Sequence, residues 1–374
     1  MLASKKNILF LIESLDGGGA EKVLSTMMCY IDKKKYNVMV LAISGGGVYE
    51  NSISSNVNYR CVLSRNVANR GVRGFLYKLK SKLIYDWLPM RIVYYLIIPK
   101  GYDVEVAFVE GFATKLLAAS CNRLAKKIAW VHVDLVQRPW TLTSGVYDSL
   151  KEERWAYEKY DNVVCVSKSV ERVMRESYKL TSTLTIYNPI DVLAIKQKGC
   201  EFSPFKVDNT KFNIVSVGRM AWEKGYDVLL PIIQKVKQTY PNVHLWLIGT
   251  GVEEMSVKKL TADLNIEKNV TFTGFLKNPY SLMSKMDLFV CSSRAEGFSL
   301  VIAESMALGV PVISTNCSGP NELIGRNEYG VLCDTYDELE REILKAIKVR
   351  PVHKGVPPIV DINETMNRIY ELLG

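Results

Sequence analysis

The stretch Arg294-Ala295-Glu296-Gly297-Phe298-Ser299-Leu300-Val301-Ile302-Ala303-Glu304 lies between an apolar run and a helix-forming run. Ahead of it, Met286-Asp287-Leu288-Phe289-Val290-Cys291 reads as a buried parallel strand ending at Ser292-Ser293. Behind it, residues 302–308 are rich in helix formers and close at Gly309, a helix stop. A loop at the carboxyl edge of parallel strands is where doubly wound sheets take their ligands. Ser299 is the expected N-cap, leaving first-turn N–H groups free to meet an anion such as a diphosphate. Glu296 stands at the mouth of the loop, where a carboxylate can accept hydrogen bonds from sugar hydroxyls. Glu304 falls about one to two turns inside the helix, where a second carboxylate can hold a ribose. The pair alone also describes an ordinary solvated helix face.

Working outward, the chain is long for one domain at 374 residues and suggests two. Its 48% hydrophobic and 23% charged residues describe well-cored domains and exclude a disordered chain. The eight cysteines form no CxxC pair and mostly sit in apolar runs such as Val163-Val164-Cys165-Val166. Buried free thiols in a reducing compartment are therefore expected, and a zinc site is not. Residues 1–6 run directly into the strand-like residues 7–12 with no secretory leader, so a cytoplasmic location is expected.

Charge is unevenly shared. Residues 1–200 hold 29 Lys and Arg against 18 Asp and Glu, whereas residues 201–374 hold 19 against 21. No nucleic-acid-binding motif accompanies the basic excess, so nucleic acid is not the expected partner. An anionic membrane surface or a phosphorylated lipid fits it. The excess concentrates in residues 60–100, where Arg60, Arg65, Arg70, Arg73, Lys78, Lys80, Lys82, Arg91 and Lys100 face one acid, Asp86. Aromatic and aliphatic residues interleave them, and Pro89 breaks an apolar run too short and too charged to span a bilayer. The segment reads as one that lies in a membrane interface. The alternative is a core helix with a solvated basic face.

In the first half, residues 7–12 form a strand that feeds the glycine loop Asp16-Gly17-Gly18-Gly19-Ala20-Glu21 and then a helix. The glycines let a ligand approach the backbone, or else simply permit a tight turn. The spacing is not G-x-G-x-x-G, which argues against a nicotinamide-dependent enzyme. Residues 36–43, 58–63, 104–109 and 128–134 are further strands, with His132 ending the last of these. Residues 163–167 are taken as the final strand of this half. Residues 196–211 read as a polar linker. In the second half, Val215-Ser216-Val217-Gly218-Arg219 ends a buried strand and leads through Trp222-Glu223-Lys224-Gly225 to a helix from Val228. Arg219 and Lys224, five residues apart on a glycine-bounded loop, can converge on one diphosphate, one as a planar fork and the other as a point charge. The amphipathic residues 362–373 form a terminal helix.

The Gly-Gly-Ala-Glu loop, the Val-Gly-Arg…Glu-Lys-Gly string, the Glu296…Glu304 pair with its Gly-Phe-Ser, and Gly309-Val310-Pro311-Val312-Ile313 together resemble the retaining glycosyltransferases of family 4. The resemblance implies the α/β GT-B fold, two Rossmann-like doubly wound parallel-sheet domains facing across a cleft that closes during the cycle. Residues 1–195 would bind the acceptor, with a C-terminal helix, 360–374, crossing back onto them. Residues 196–359 would bind the nucleotide sugar. It implies catalytic roles for His132, Arg219, Lys224 and Glu296. Donor contacts would come from Gly18, Gly19, Gly218, Gly274, Leu276, Gly297, Phe298, Ser299, Leu300 and Glu304. The implied reaction moves a hexose or N-acetylhexosamine from a UDP- or GDP-sugar, without a metal ion, to a hydroxyl of a lipid-linked glycan in surface polysaccharide assembly. The enzyme would work as a peripheral protein on the inner face of the cell membrane. A non-catalytic nucleotide-sugar-binding partner subunit of the same fold is the second reading.

Overall fold

The computed structural model describes residues 5–65 and 71–374. Arg70 of the basic stretch lies outside the described residues. The chain divides into two compact units, one running to Pro189 and taking back Asn363–Gly374, the other spanning Ile190–Ile362.

The first unit is built on a seven-stranded sheet of order β3-β2-β1-β4-β5-β6-β7. Its strands are β1 (Lys6–Ile12), β2 (Tyr36–Ser44), β3 (Asn58–Leu63), β4 (Val104–Ala107), β5 (Lys126–Val131), β6 (Asn162–Cys165) and β7 (Thr183–Thr185). All its pairings are parallel. Central strands carry almost unbroken apolar runs because helices cover both faces. Residues Ile8 to Leu11 of β1 are accordingly inaccessible to water. The strand after residues 163–167 was not expected: β7 is an additional edge strand. Its Thr-Leu-Thr is too short to show either alternation or an apolar run. The last helix, Ile362–Leu373, is held to this unit at its end. Lys6 Nζ donates to the carbonyls of Leu373 (3.0 Å) and Gly374 (2.6 Å), and Lys126 Nζ to that of Leu372 (2.7 Å). Tyr36 and Tyr370 stack at 5.9 Å.

The second unit carries a six-stranded sheet of order β10-β9-β8-β11-β12-β13. The strands are β8 (Phe212–Val217), β9 (Val243–Ile248), β10 (Val270–Gly274), β11 (Leu288–Cys291), β12 (Val312–Thr315) and β13 (Val331–Cys333), again all parallel. Its core gathers Ile214, Leu245, Leu247, Leu288, Val290 and Ile313 from the sheet, with Leu229, Leu230 and Ile233 from the Tyr226–Thr239 helix. That helix begins two residues before the expected Val228. The presumed linker is partly structured. Val192–Gly199 is a helix capped by Asp191, whose Oδ1 accepts from Ala194 N at 2.8 Å. Ser284 Oγ donates to the Gly199 carbonyl at 3.0 Å, so this helix packs within the second unit. All eight cysteines are free.

In each sheet the strand order reverses beside the first strand of the unit, between β1 and β4 and between β8 and β11. Loops leaving the carboxyl ends of these strands diverge there and open a crevice, which is where open α/β sheets take ligands.

Candidate active site

The loops after β8 and β11 flank the switch point of the second unit. Lys224 ends a short 3-10 turn, Trp222–Lys224, on the first loop, and Glu296 sits on the second. Lys224 Nζ meets Glu296 Oε1 at 2.6 Å, with side-chain exposures of 19% and 11%. Ser293 Oγ donates to the same oxygen at 2.7 Å. Burial alone would depress the Lys224 ammonium, but the Glu296 charge, followed by the nearby Cys291 and the hydrogen bond to Glu296, more than offsets it and raises its pKa. Lys224 is therefore a permanent cation. An ammonium has three donors, so this pairing leaves two for a ligand. Among the described residues, Glu296 Oε2 takes no hydrogen bond, so one carboxylate oxygen is left to accept.

The two loops are laced together. Arg294 N donates to Glu223 O at 2.8 Å, and Ser292 Oγ to Lys224 O at 2.8 Å. The Arg294 guanidinium forks onto Asp227 (2.9 and 2.7 Å), donates to Trp222 O at 2.7 Å and lies 4.8 Å from the Trp222 ring centroid. Hydrogen bonding from Arg294 holds the Asp227 carboxyl below its usual range. Gly225 makes the close approach feasible. Its φ is +65°, and a Cβ there would come within 2.2 Å of Ser292 O.

The other second-unit residues group around this pair. Gly218 follows β8, and a Cβ on it would stand 3.0 Å from Lys224 Cε. Arg219 is exposed and makes no ion pair among the described residues. Gly297, Phe298 and Ser299 are buried ahead of the Leu300–Ala307 helix, and Glu304 is buried within it. Ser299 corrects the capping expectation. It holds the N-cap position, but with φ 66° and ψ 72°, and its hydroxyl caps nothing. A cap needs extended backbone to turn its oxygen back on the first turn, and left-handed geometry points it elsewhere. The Ser299 Oγ is buried and unpartnered among the described residues. Gly274 and Leu276 stand apart from the pair in sequence and strand order, at the tip of the edge strand β10.

In the first unit the carboxyl edge presents Gly18 and Gly19, which open the Gly19–Tyr30 helix after β1, and His132, the first residue past β5. His132 Nε2 lies 2.9 Å from Phe108 O. A carbonyl only accepts, so Nε2 carries the hydrogen and Nδ1 keeps its lone pair. Burial pushes the His132 imidazole down to about 4, against a partial upward pull from the Phe108 carbonyl. At neutral pH it is thus a neutral ring offering an acceptor nitrogen. Glu110, on the loop after β4, accepts from the backbone N–H groups of both His132 and Val133, the latter at 2.8 Å. Desolvation pushes Glu110 up to about 7, although those backbone N–H groups and Arg138 favour its charged form.

Two family models match the chain, Glycosyltransferase Family 4 over residues 17–192 and Glycosyl transferases group 1 over residues 200–354. Between them they span all but the ends of the chain and residues 193–199. The chain belongs to the family 4 glycosyltransferases. An uncharacterized glycosyltransferase of Haemophilus influenzae is 26% identical over 335 residues, 88% of this chain and 86% of that one. The Campylobacter jejuni N-acetylgalactosamine-N,N'-diacetylbacillosaminyl-diphospho-undecaprenol 4-alpha-N-acetylgalactosaminyltransferase is 27% identical over 353 residues, 92% of each chain. Among solved structures, Anabaena Alr3699/HepE in complex with UDP-glucose superposes with a TM-score of 0.74 at 21% identity, covering 98% of this chain and 99% of that one. The fold is GT-B.

In this glycosyltransferase the sequence pointed to Lys224 and Glu296 as separate ligand contacts, whereas the structure makes them each other's partner. Ser293, Arg294 and Asp227 were missed as parts of the same assembly. Glu110 was missed as well, and Glu110-Gly111 at the end of a buried strand was its only signal. Gly111 has φ +86°, and a Cβ on it would run into the Trp140 ring at 2.6 Å.

The Glu110 carboxyl yields a pH prediction. Its folded pKa of about 7 lies above the ordinary 4.5, so the folded state binds the extra proton. Its contribution is fully present below about pH 4.5 and is lost as pH rises through about 7, on the order of 3 kcal/mol in all. His132 is depressed from 6.5 to about 4 and carries the opposite slope over nearly the same window, so the wild-type curve partly hides both. Subtracting the urea-unfolding curve of the wild type from that of Glu110→Gln removes the shared histidine contribution. The variant should gain stability relative to wild type across that range, and a flat difference would refute the assignment.

Proposed function

We propose that this enzyme transfers a hexose or N-acetylhexosamine from a UDP- or GDP-sugar to a hydroxyl of a lipid-linked glycan, with retention of anomeric configuration, in surface polysaccharide assembly. The observation that carries the reading is the Lys224–Glu296 pair, half-enclosed at the switch point of the second sheet. The two spare donors of Lys224, with the exposed Arg219 guanidinium, supply positive charge for the leaving diphosphate in place of a metal ion. The open Glu296 oxygen suits a sugar hydroxyl, and the buried Glu304 carboxylate a ribose. Neutral His132 suits an acceptor hydroxyl through Nδ1. The leaving phosphate oxygen would take the acceptor proton on the face that the sugar vacates, so no carboxylate nucleophile is used. The acceptor class follows the Campylobacter relative, whose name specifies a diphospho-undecaprenol substrate, and an Escherichia coli relative named for O-antigen biosynthesis.

A thermal-shift panel of UDP-, GDP- and ADP-linked sugars tests the donor. At one hundred times Kd the correct donor should stabilise the protein by about 2.7 kcal/mol. Slow hydrolysis of that donor should accompany binding. Binding without turnover on any acceptor would point instead to a non-catalytic partner, and no shift with any donor would remove the reading.

A further inference from the structure

Residues 71–98 form a helix, Gly71–Lys82, a π-helical turn, Leu83–Trp87, and a second helix, Met90–Ile97. Among the described residues, no helix is long and apolar enough to cross a membrane. An amphipathic helix ordinarily turns its apolar stripe inward. The Gly71–Lys82 helix does the reverse, and the Met90–Ile97 helix carries apolar residues on its outer face as well as its inner one. In the first, Val72, Phe75 and Leu76 recur at i, i+3, i+4 and are exposed, Phe75 by 66% and Leu76 by 55%, while Gly74 is buried. In the second, Ile92, Tyr95 and Leu96 repeat the spacing on an exposed face, Tyr95 by 65% and Leu96 by 64%. Trp87 between them is 60% exposed.

What anchors the segment lies on its other side. Tyr85 donates to Glu13 Oε1 at 2.8 Å and packs 4.5 Å from Phe112, and Tyr94 donates to Glu105 Oε1 at 2.6 Å. Ile84 and Val93 are buried. The outward apolar residues therefore contribute little to holding the fold.

Their surroundings are cationic. Helical geometry sets Arg73 and Lys80 along one border of the first stripe and Lys78 and Lys82 along the other. Arg91 adjoins the second stripe, and Lys100 Nζ lies 5.2 Å from the Tyr95 ring centroid. Among the described residues Arg73, Lys78, Lys82 and Arg91 form no ion pair. An exposed apolar patch rimmed by unpaired cations needs an apolar partner bordered by anions. A bilayer of anionic phospholipid has that layout, with acyl chains below a sheet of phosphates, and an exposed tryptophan suits the boundary between them.

We infer that the 71–98 segment is a docking face for an anionic bilayer, inserting Phe75, Leu76, Tyr95 and Leu96 while its lysines and arginines meet the phosphates. This goes beyond the transfer reaction and is tested without a donor. The full chain is floated with vesicles of phosphatidylglycerol in phosphatidylcholine, and with phosphatidylcholine alone. It should float with the first at low salt, bind less as salt rises, and leave the second unbound. Phe75→Glu/Leu76→Glu and, separately, Tyr95→Glu/Leu96→Glu should each weaken binding by roughly tenfold or more. Val352→Glu, at an exposed apolar residue of the second unit, should leave it unchanged. Circular dichroism and melting of all three should match the wild type. The inference falls if the anionic vesicles fail to bind at low salt, if neutral vesicles bind as well, or if both double variants still float. It also falls if light scattering shows a dimer that the double variants dissociate, which would make the patch a contact between copies of this chain.

Discussion

Lys224→Ala is expected to slow donor turnover by roughly 10²- to 10³-fold, the usual cost of deleting one charge aimed at a transition state. The substitution also strands the Glu296 carboxylate. That group is 11% exposed and would keep only the Ser293 hydroxyl among the described residues. Removing one partner of a fully buried ion pair costs about 3–5 kcal/mol, and some residual water contact here should bring the loss to about 2–4 kcal/mol. Turnover and stability are separable. Lys224→Met/Glu296→Gln removes both charges at similar volume and should regain most of the stability while staying inactive. The Lys224 pKa is raised, so its share of stability is complete below the ordinary 10.5 and is lost only as pH climbs past the folded value. Between about pH 6 and 9 Lys224 therefore keeps its charge in the wild type. Chemical denaturation and donor hydrolysis, measured on all three proteins, decide the matter. A Lys224→Ala variant that hydrolyses the donor at the wild-type rate would show that the ammonium serves the fold alone.

The pair illustrates what could be read from the chain and what could not. Lys224 and Glu296 were each visible as residues, because a buried strand followed by a glycine-bounded loop marks the edge of a parallel sheet. Their contact was not visible. It exists because β8 and β11 are neighbours in the sheet although β9 and β10 lie between them in sequence, and no local pattern encodes that adjacency. Apolar runs such as residues 288–291 gave their strands away, being covered on both faces. β7, with three residues and two threonines, carried no such mark. The Ser299 side chain misled for a related reason: its type suits a cap, but the left-handed φ that defeats capping is set by the loop's path. In the basic segment 60–100, the interleaved basic and apolar residues marked an amphipathic stretch without telling which side met the sheet. Glu110 left almost no trace, since a glutamate after a strand usually faces water. Its raised pKa comes from burial, which the backbone N–H groups of His132 and Val133 on a different loop only partly offset.

Arg294→Ala should cost about 1–2 kcal/mol of stability, since Asp227 is partly exposed and screened by solvent. It should nonetheless reduce turnover by about tenfold, a larger effect than lost stability explains in a protein that remains folded. The reason is geometric. Arg294 joins the loop bearing Glu296 to the carbonyl of Trp222 and the carboxylate of Asp227, which bracket Lys224 on the other loop. Without that fork, the backbone contacts through Glu223 and Lys224 still tie the loops, but the Lys224 stem gains freedom to swing. Arg294→Lys keeps the charge and can satisfy one partner at a time, so partial recovery is expected. If Arg294 acts only by positioning Lys224, its deletion should matter little once Lys224 is gone. The double variant Lys224→Ala/Arg294→Ala would then turn over donor no more slowly than Lys224→Ala alone, a strongly non-additive cycle. Additive losses would instead mean that Arg294 touches the ligand itself, through the N–H donors left over from Trp222 and Asp227.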